Sequence, residues 1–397
     1  MLSTRFSVRR SLLRAAAVAL AGALVAGCAS QPRVAGNAGI DVDVNQPVRV
    51  ALLLPYGTGD PGREQIARSL ENAARLAQGD LRNAAIDLVV YPTAGTTSGG
   101  AAAASQAVSE GAKIIVGPLF STETAGAEGP AASGGLTVLS FSNNPSVAGS
   151  NVYILGTTFQ NTADRLIAYG QAQGLGPFGV VYPAGLEGET ARDAVSEAAS
   201  NRGASVAASE SYNLSVEGIQ SAAGPAAQAL LAAGANGIIL TDGPTGGLSF
   251  IADGLRNNGV GPDRGQFLGM QRWDISAEAL QAPSLQGGVF AAPDPGVIGA
   301  FNGRYRAAYG ESPHELAGLA YDGVAAIGAL IAQARAEGGS PFSTERLSQA
   351  AGFAGVNGPF RFTPSGRAQR NLAIIAVENG AAVVREPAAR TFEPVGF

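Results

Sequence analysis

The sequence predicts an α/β protein of two lobes, each a parallel sheet covered on both faces by helices. Three observations lead there. From Pro47 almost to the end, short β-rich apolar runs alternate with polar or glycine-rich turns and amphipathic, Ala-rich stretches, the pattern of parallel strands joined by crossover helices. A chain of 397 residues has room for two hydrophobic cores. Its one cysteine permits no internal disulfide, so packing alone must hold the fold.

In order, the N-terminus carries Arg5, Arg9, Arg10 and Arg14 and no acid, then an apolar run from Ala15 to Val25. That run is too short to span a bilayer and has the composition of a signal peptide, residues 1–27. The Arg9-Arg10 pair is also compatible with twin-arginine export. Small residues precede Cys28 in Val25-Ala26-Gly27-Cys28, as a processing enzyme requires. Residues 28–46 are expected to be a flexible tether, with Gly, Ala, Asn and Pro recurring from Gln31 onward. Removing residues 1–27 takes away four arginines and no acid, leaving 22 basic against 31 acidic side chains, a net charge of −9. With a single lysine, Lys113, and no basic cluster, the mature chain has no electrostatic footprint for nucleic acid or anionic lipid.

Strands are expected at Val48 to Leu54, Ile86 to Tyr91, Ile114 to Val116, Thr137 to Leu139, Phe178 to Tyr182, Ser205 to Ser211, Gly237 to Leu240 and Gln266 to Gly269. Helices are expected at Arg63 to Gln78, Gly100 to Glu110, Thr162 to Gln173, Glu189 to Asn201, Ala226 to Ala233 and Leu316 to Glu337. Ligands of such sheets bind beyond the carboxyl ends of the strands.

Two strand-end segments, Lys113-Ile114-Ile115-Val116-Gly117-Pro118-Leu119-Phe120-Ser121-Thr122 and Leu139-Ser140-Phe141-Ser142-Asn143-Asn144-Pro145, carry a family signature. With Ala320-Tyr321-Asp322-Gly323-Val324 and Gly355-Val356-Asn357-Gly358-Pro359-Phe360-Arg361-Phe362, they resemble the type I periplasmic binding proteins, the leucine/isoleucine/valine-binding family. The resemblance covers roughly residues 48 to 385 and implies a hinged clamp without a cofactor. Its N-terminal lobe would comprise residues 47–156 plus 289–340 and its C-terminal lobe 157–288 plus 341–397. The three crossings would lie near Leu155 to Thr158, Gly287 to Pro293 and Glu337 to Ser343. The N-terminal signal resembles that of bacterial lipoproteins, which implies a diacylglycerol on Cys28 and a protein anchored in the periplasm. Ala29 in place of aspartate is compatible with the outer membrane.

Such a fold serves amino-acid receptors of ABC importers, ligand-sensing domains and lipoprotein activators of penicillin-binding proteins. Among these the sequence is most similar to the activators. Amino-acid binders of the family hold the ligand carboxylate with hydroxyls at positions matched by Ser121, Thr122, Ser140 and Ser142, near Asn143. They hold the ammonium with acids of the other lobe. There this chain has Gln160 and Gln271, and an unpaired buried ammonium is costly. Glu187 and Asp242, at two other strand ends, would either compensate or be solvated loop acids. The serines also suit turns and helix caps. Tyr56, Tyr182, Arg272 and Trp273 complete the expected cleft, Trp273 either stacking on a ligand or packing between lobes. Expected partners are a membrane through the lipid, a peptidoglycan synthase or an ABC permease, and a small polar ligand.

Gly57-Thr58-Gly59-Asp60-Pro61-Gly62 spells G-x-G-x-x-G between a strand and a helix. Asp60 would face a pyrophosphate there, which argues against a dinucleotide. Catalysis has little support: His314, the one histidine, lies in a polar loop before a helix, no G-x-S-x-G occurs, and no His/Cys group suits a metal.

Overall fold

Long apolar strands, buried on both faces, organise residues 40–392, which the computed structural model describes. The signal sequence, Cys28 and the tether up to residue 39 fall outside the described residues. The first sheet contains β1 (Val48–Leu54), β2 (Ile86–Pro92), β3 (Ile114–Val116), β4 (Val138–Ser140) and β5 (Val152–Ile154), in the order β2-β1-β3-β4-β5, all parallel. In central β1 only Arg49 reaches the surface, hence the unbroken apolar run.

The second sheet begins with β6 (Phe178–Pro183), β7 (Val206–Tyr212), β8 (Gly237–Leu240), β9 (Gln266–Gly269) and β10 (Val289–Ala292). A separate hairpin, β11 (Phe360–Phe362) with β12 (Ala368–Arg370), precedes β13 (Ala373–Glu378) and β14 (Ala381–Glu386). The order is β14-β13-β10-β9-β8-β6-β7, with β13 antiparallel to both neighbours. The edge strand β7 alternates half-buried and exposed residues along most of its length, as a strand covered on one face does.

Helix ends follow local chemistry. Asp60 caps Pro61–Asp80 and Asp294 caps Pro295–Tyr309, each with proline at the first position. Thr158 and Asn161 form a reciprocal box at the start of Phe159–Ala172. The helix Ala317–Glu337 is apolar and long enough to cross a membrane, but most of it is buried against the first sheet and Pro61–Asp80.

The lobe boundaries differ from expectation in two places. β10 pairs with β9 and β13, so it belongs to the second lobe and the crossing follows Ala292. Residues 341–370 belong to the first lobe rather than the second: Phe342, Leu347, Phe353, Phe360 and Phe362 join its core, with Phe362 edge-on to Tyr153 at 5.1 Å. The third crossing therefore lies between Arg370 and Ala373, not near 337–343. The end of the expected tether is also docked. Ile40, Val42 and Val44 pack on the first lobe while Asp41, Asp43 and Asn45 face out. Arg335 Nε donates to the Val44 carbonyl at 3.1 Å. This alternation has the period of a strand, which the Gly/Asn/Pro content around it obscured.

Candidate ligand cleft

A cleft of about 460 Å³ opens between the lobes at the carboxyl ends of both sheets. Its first-lobe wall comes from the loops after β3 and β4, which supply Phe120, Phe141, Ser142 and Asn143. Its second-lobe wall includes Glu187, Met270, Gln271 and Arg272. Residues of all three crossings border it, among them Thr158, Pro293 and Leu372, so lobe rotation would change its shape. Phe120, Phe141 and Phe159 are its aromatic residues, and Glu187, Arg272 and Glu315 its charged ones. Arg272 forms a forked pair with Asp274, Nε–Oδ1 3.0 Å and Nη2–Oδ2 2.7 Å. That carboxylate, with Glu315 behind it, holds the guanidinium pKa above its ordinary value.

Of the residues expected to bind ligand, Ser142, Asn143, Glu187 and Arg272 line the cleft. Ser142 Oγ already accepts the Asn144 amide at 3.1 Å. Gln271 Nε2 reaches Glu187 Oε1 at 3.5 Å. The others do not line it. Ser140 is fully buried, its hydroxyl bonded to Thr124 Oγ1 (2.8 Å), the Pro118 carbonyl (3.1 Å) and the Ser142 amide (3.1 Å). Ser121 and Thr122 open the helix Ser121–Ser133 outside the cleft lining. Tyr56 donates to Glu71 at 2.8 Å, and burial with that carboxylate pushes its pKa up. Tyr182 packs in the second lobe under Arg192. Asp242 neither lines the cleft nor is solvated. Buried, it accepts Tyr212 Oη (2.7 Å) and the Gly243 and Gly247 amides (2.8 and 2.5 Å), tying its own loop together.

Trp273 is also a core residue, wholly buried beside Phe290 at 5.8 Å. A Cβ on Gly269 or Gly288 would lie 2.4 or 2.7 Å from the indole. Its emission should therefore be blue-shifted and unmoved by any ligand that fills the cleft, shifting red only on unfolding. A spectral change during a saturable ligand titration would overturn this placement. Sequence reasoning missed Glu315 and Phe159. Each directly adjoins a helix start, where a short loop turns toward the strand ends, a position the alternation of elements could have flagged.

Beside the cleft, Glu123 occupies the start of the helix Ser121–Ser133. It is wholly buried, Oε2 accepting the Phe120 amide at 2.8 Å and Oε1 the Thr93 hydroxyl. Burial pushes its carboxyl pKa up, against those two donors. A folded value above the unfolded one, about 4.3, gives stability that is full below the unfolded pKa and lost as pH rises through the folded one. The stability difference between wild type and Glu123→Gln should therefore fall over a pH range that begins near the unfolded value and runs upward. Urea unfolding across that range checks it, and a rising difference would exclude it.

A periplasmic binding protein family model matches residues 47–382. The chain belongs to the periplasmic binding proteins. Solved structures agree in fold. The leucine-, isoleucine-, valine-, threonine- and alanine-binding protein of Brucella ovis, in closed conformation, aligns at TM-score 0.64 and 15% identity, covering 87% of this chain and 95% of that one. A branched-chain amino acid ABC transporter periplasmic ligand-binding protein of Burkholderia xenovorans aligns at 0.67 and 14%, covering 88% and 96%. Full-length LpoA of Haemophilus influenzae aligns at 0.64 and 18%, covering 86% of this chain and 59% of LpoA. No curated protein matches the chain. Membership places this periplasmic binding protein outside the cytoplasm, in a family of binders. Its glycine-rich loop after β1 is closed on itself: Asp60 Oδ1 accepts the Gly62 and Arg63 amides, and Glu64 Oε1 those of Gly57 and Thr58. Among the described residues no group of three or more His, Cys, Asp or Glu side chains could hold a metal.

Proposed function

We propose that the protein is a lipoprotein activator of a penicillin-binding protein, held in the outer membrane through Cys28 and regulating a peptidoglycan synthase by surface contact. One observation carries this reading. Of the four hydroxyls matched to an amino-acid carboxylate, only Ser142 lines the cleft, while Ser140 is buried in three internal bonds and Ser121 and Thr122 open a helix outside it. A free amino acid would find one of these hydroxyls in the cleft, and recruiting Ser140 would break its internal bonds, each buried group left unpaired costing about 1–3 kcal/mol. The fold itself does not choose, since it is shared with ABC-transporter binding proteins and with LpoA.

The second reading, a solute-binding subunit of an ABC importer, draws support from the cleft's volume and from Glu187 on its second-lobe wall. Two measurements on one preparation of the described domain separate them. We expect no saturable binding of leucine, isoleucine or valine by calorimetry, and a faster glycan-polymerising or crosslinking rate of a synthase from the same cell. Micromolar leucine binding, about 8 kcal/mol, together with no effect on any synthase would make the protein an importer subunit.

A further inference from the structure

The second lobe exposes large apolar side chains in the loops and helix starts at the carboxyl ends of its strands. Leu186 follows β6, Leu214 and Val216 follow β7, and Phe250 follows β8; they are 84%, 57%, 62% and 65% exposed. β7, β6 and β8 are neighbours in the sheet. The loops meet: the Ala184 amide donates to the Tyr212 carbonyl at 2.7 Å, and a Cβ on Gly247 would touch Leu214 Cδ1 at 3.1 Å. Single exposed apolar residues are ordinary, but a group on one rim marks an interaction site. None of the four lines the cleft, so a cleft ligand does not account for them.

The charges beside them have one sign. Glu187, Glu189 and Glu217 are exposed in the same segments and form none of the ion pairs found among the described residues. The nearest arginine in sequence, Arg192, is taken by Asp193 at 2.6 Å. We infer that this rim docks a protein partner that presents apolar side chains set among lysines or arginines. The sign of the charge decides among occupants. An anionic membrane would be repelled by the glutamates, and a second copy would bring them against themselves, whereas a basic surface is attracted. The inference rests on the reading that the protein acts on another protein, and names the face it uses.

A fluorescent short helical peptide built from Leu and Lys, titrated against the domain by anisotropy, tests the rim directly. It should bind, a Leu/Glu peptide should not, and added salt should weaken it. Leu186→Ser with Phe250→Ser should weaken binding by about tenfold or more, and so should Glu189→Gln with Glu217→Gln, which leaves the apolar group intact. No binding, equal affinity in both variants, sedimentation with phosphatidylglycerol vesicles through these residues, or self-association through them would each overturn the inference. The synthase assay keeps the two claims apart. Stimulation undiminished in the rim variants defeats the inference and leaves the activator reading standing. Rim-dependent peptide binding by a protein that stimulates no synthase supports the rim and defeats the activator reading.

Discussion

Gly126→Ala should destabilise the first lobe by about 3 kcal/mol, although it adds one methyl group and raises helix propensity. The helices Thr97–Ser109 and Ser121–Ser133 meet backbone to backbone. A Cβ on Gly126 would lie 1.9 Å from the Thr97 carbonyl oxygen, and one on Gly100 2.2 Å from that of Glu123. No rotamer relieves such a clash, because the main chain fixes the Cβ and the oxygen belongs to main chain, so the helices must separate and their contacts loosen. Gly129, three residues along the same helix, has nothing within 4 Å of its would-be Cβ. Gly129→Ala should therefore cost far less, its gain in helix propensity opposed only by Pro130, whose ring crowds a Cβ on the residue before it. Urea unfolding of the two variants checks the difference, and destabilisation of similar size in both would show that the crossing is not as tight as its geometry.

That crossing also explains what could be read from the residues. Strands such as Val48–Leu54 are legible because burial on both faces demands an unbroken apolar run. Ser121–Ser133 is not, because its contact surface is glycine and alanine, leaving little apolar periodicity to read. The third crossing was misplaced for another reason. Nothing local tells whether Phe353, Phe360 and Phe362 return to the first lobe or pass to the second, since the choice depends on distant Tyr153 and the helix Ala317–Glu337.

The cleft was legible to the level of the loop and not of the side chain. The loops after β4, β6 and β9 do reach it, bringing Ser142, Asn143, Glu187 and Arg272. Ser140, two residues before Ser142, is still strand and points inward. Trp273, one residue past Arg272, begins a 3₁₀ turn that folds the indole back over Gly269 and Gly288. Asp242 could be read as a ligand acid or a solvated loop acid, yet a buried loop rich in glycine needs an acceptor for its own amides.

Arg370→Met should cost about 3–5 kcal/mol, most of it from the charge left behind. Arg370 and Asp322 are wholly buried and paired at 2.8 Å. Arg370 also donates to the Gly358 carbonyl (3.0 Å) and the Leu155 carbonyl (3.1 Å), with its guanidinium 4.7 Å from the centre of the Phe360 ring. Asp322 accepts the Val356 amide at 2.6 Å. Burial pushes the Asp322 carboxyl pKa up, and the guanidinium is the main force opposing it. Removing Arg370 alone therefore strands a carboxylate in the core. Arg370→Met with Asp322→Leu removes both charges and should recover most of the loss. The pair also has a place in the hinge, since Arg370 ends β12 just before the third crossing and Leu155 begins the first. It fastens both to the helix Ala317–Glu337, which carries Asp322. The double variant should accordingly regain stability in urea unfolding yet show a wider range of lobe separations, measured between spin labels on the two lobes. A double variant as unstable as Arg370→Met would mean that the lost packing and carbonyl bonds, rather than the orphaned charge, set the cost. Unchanged lobe separations would confine the pair to the core of the first lobe.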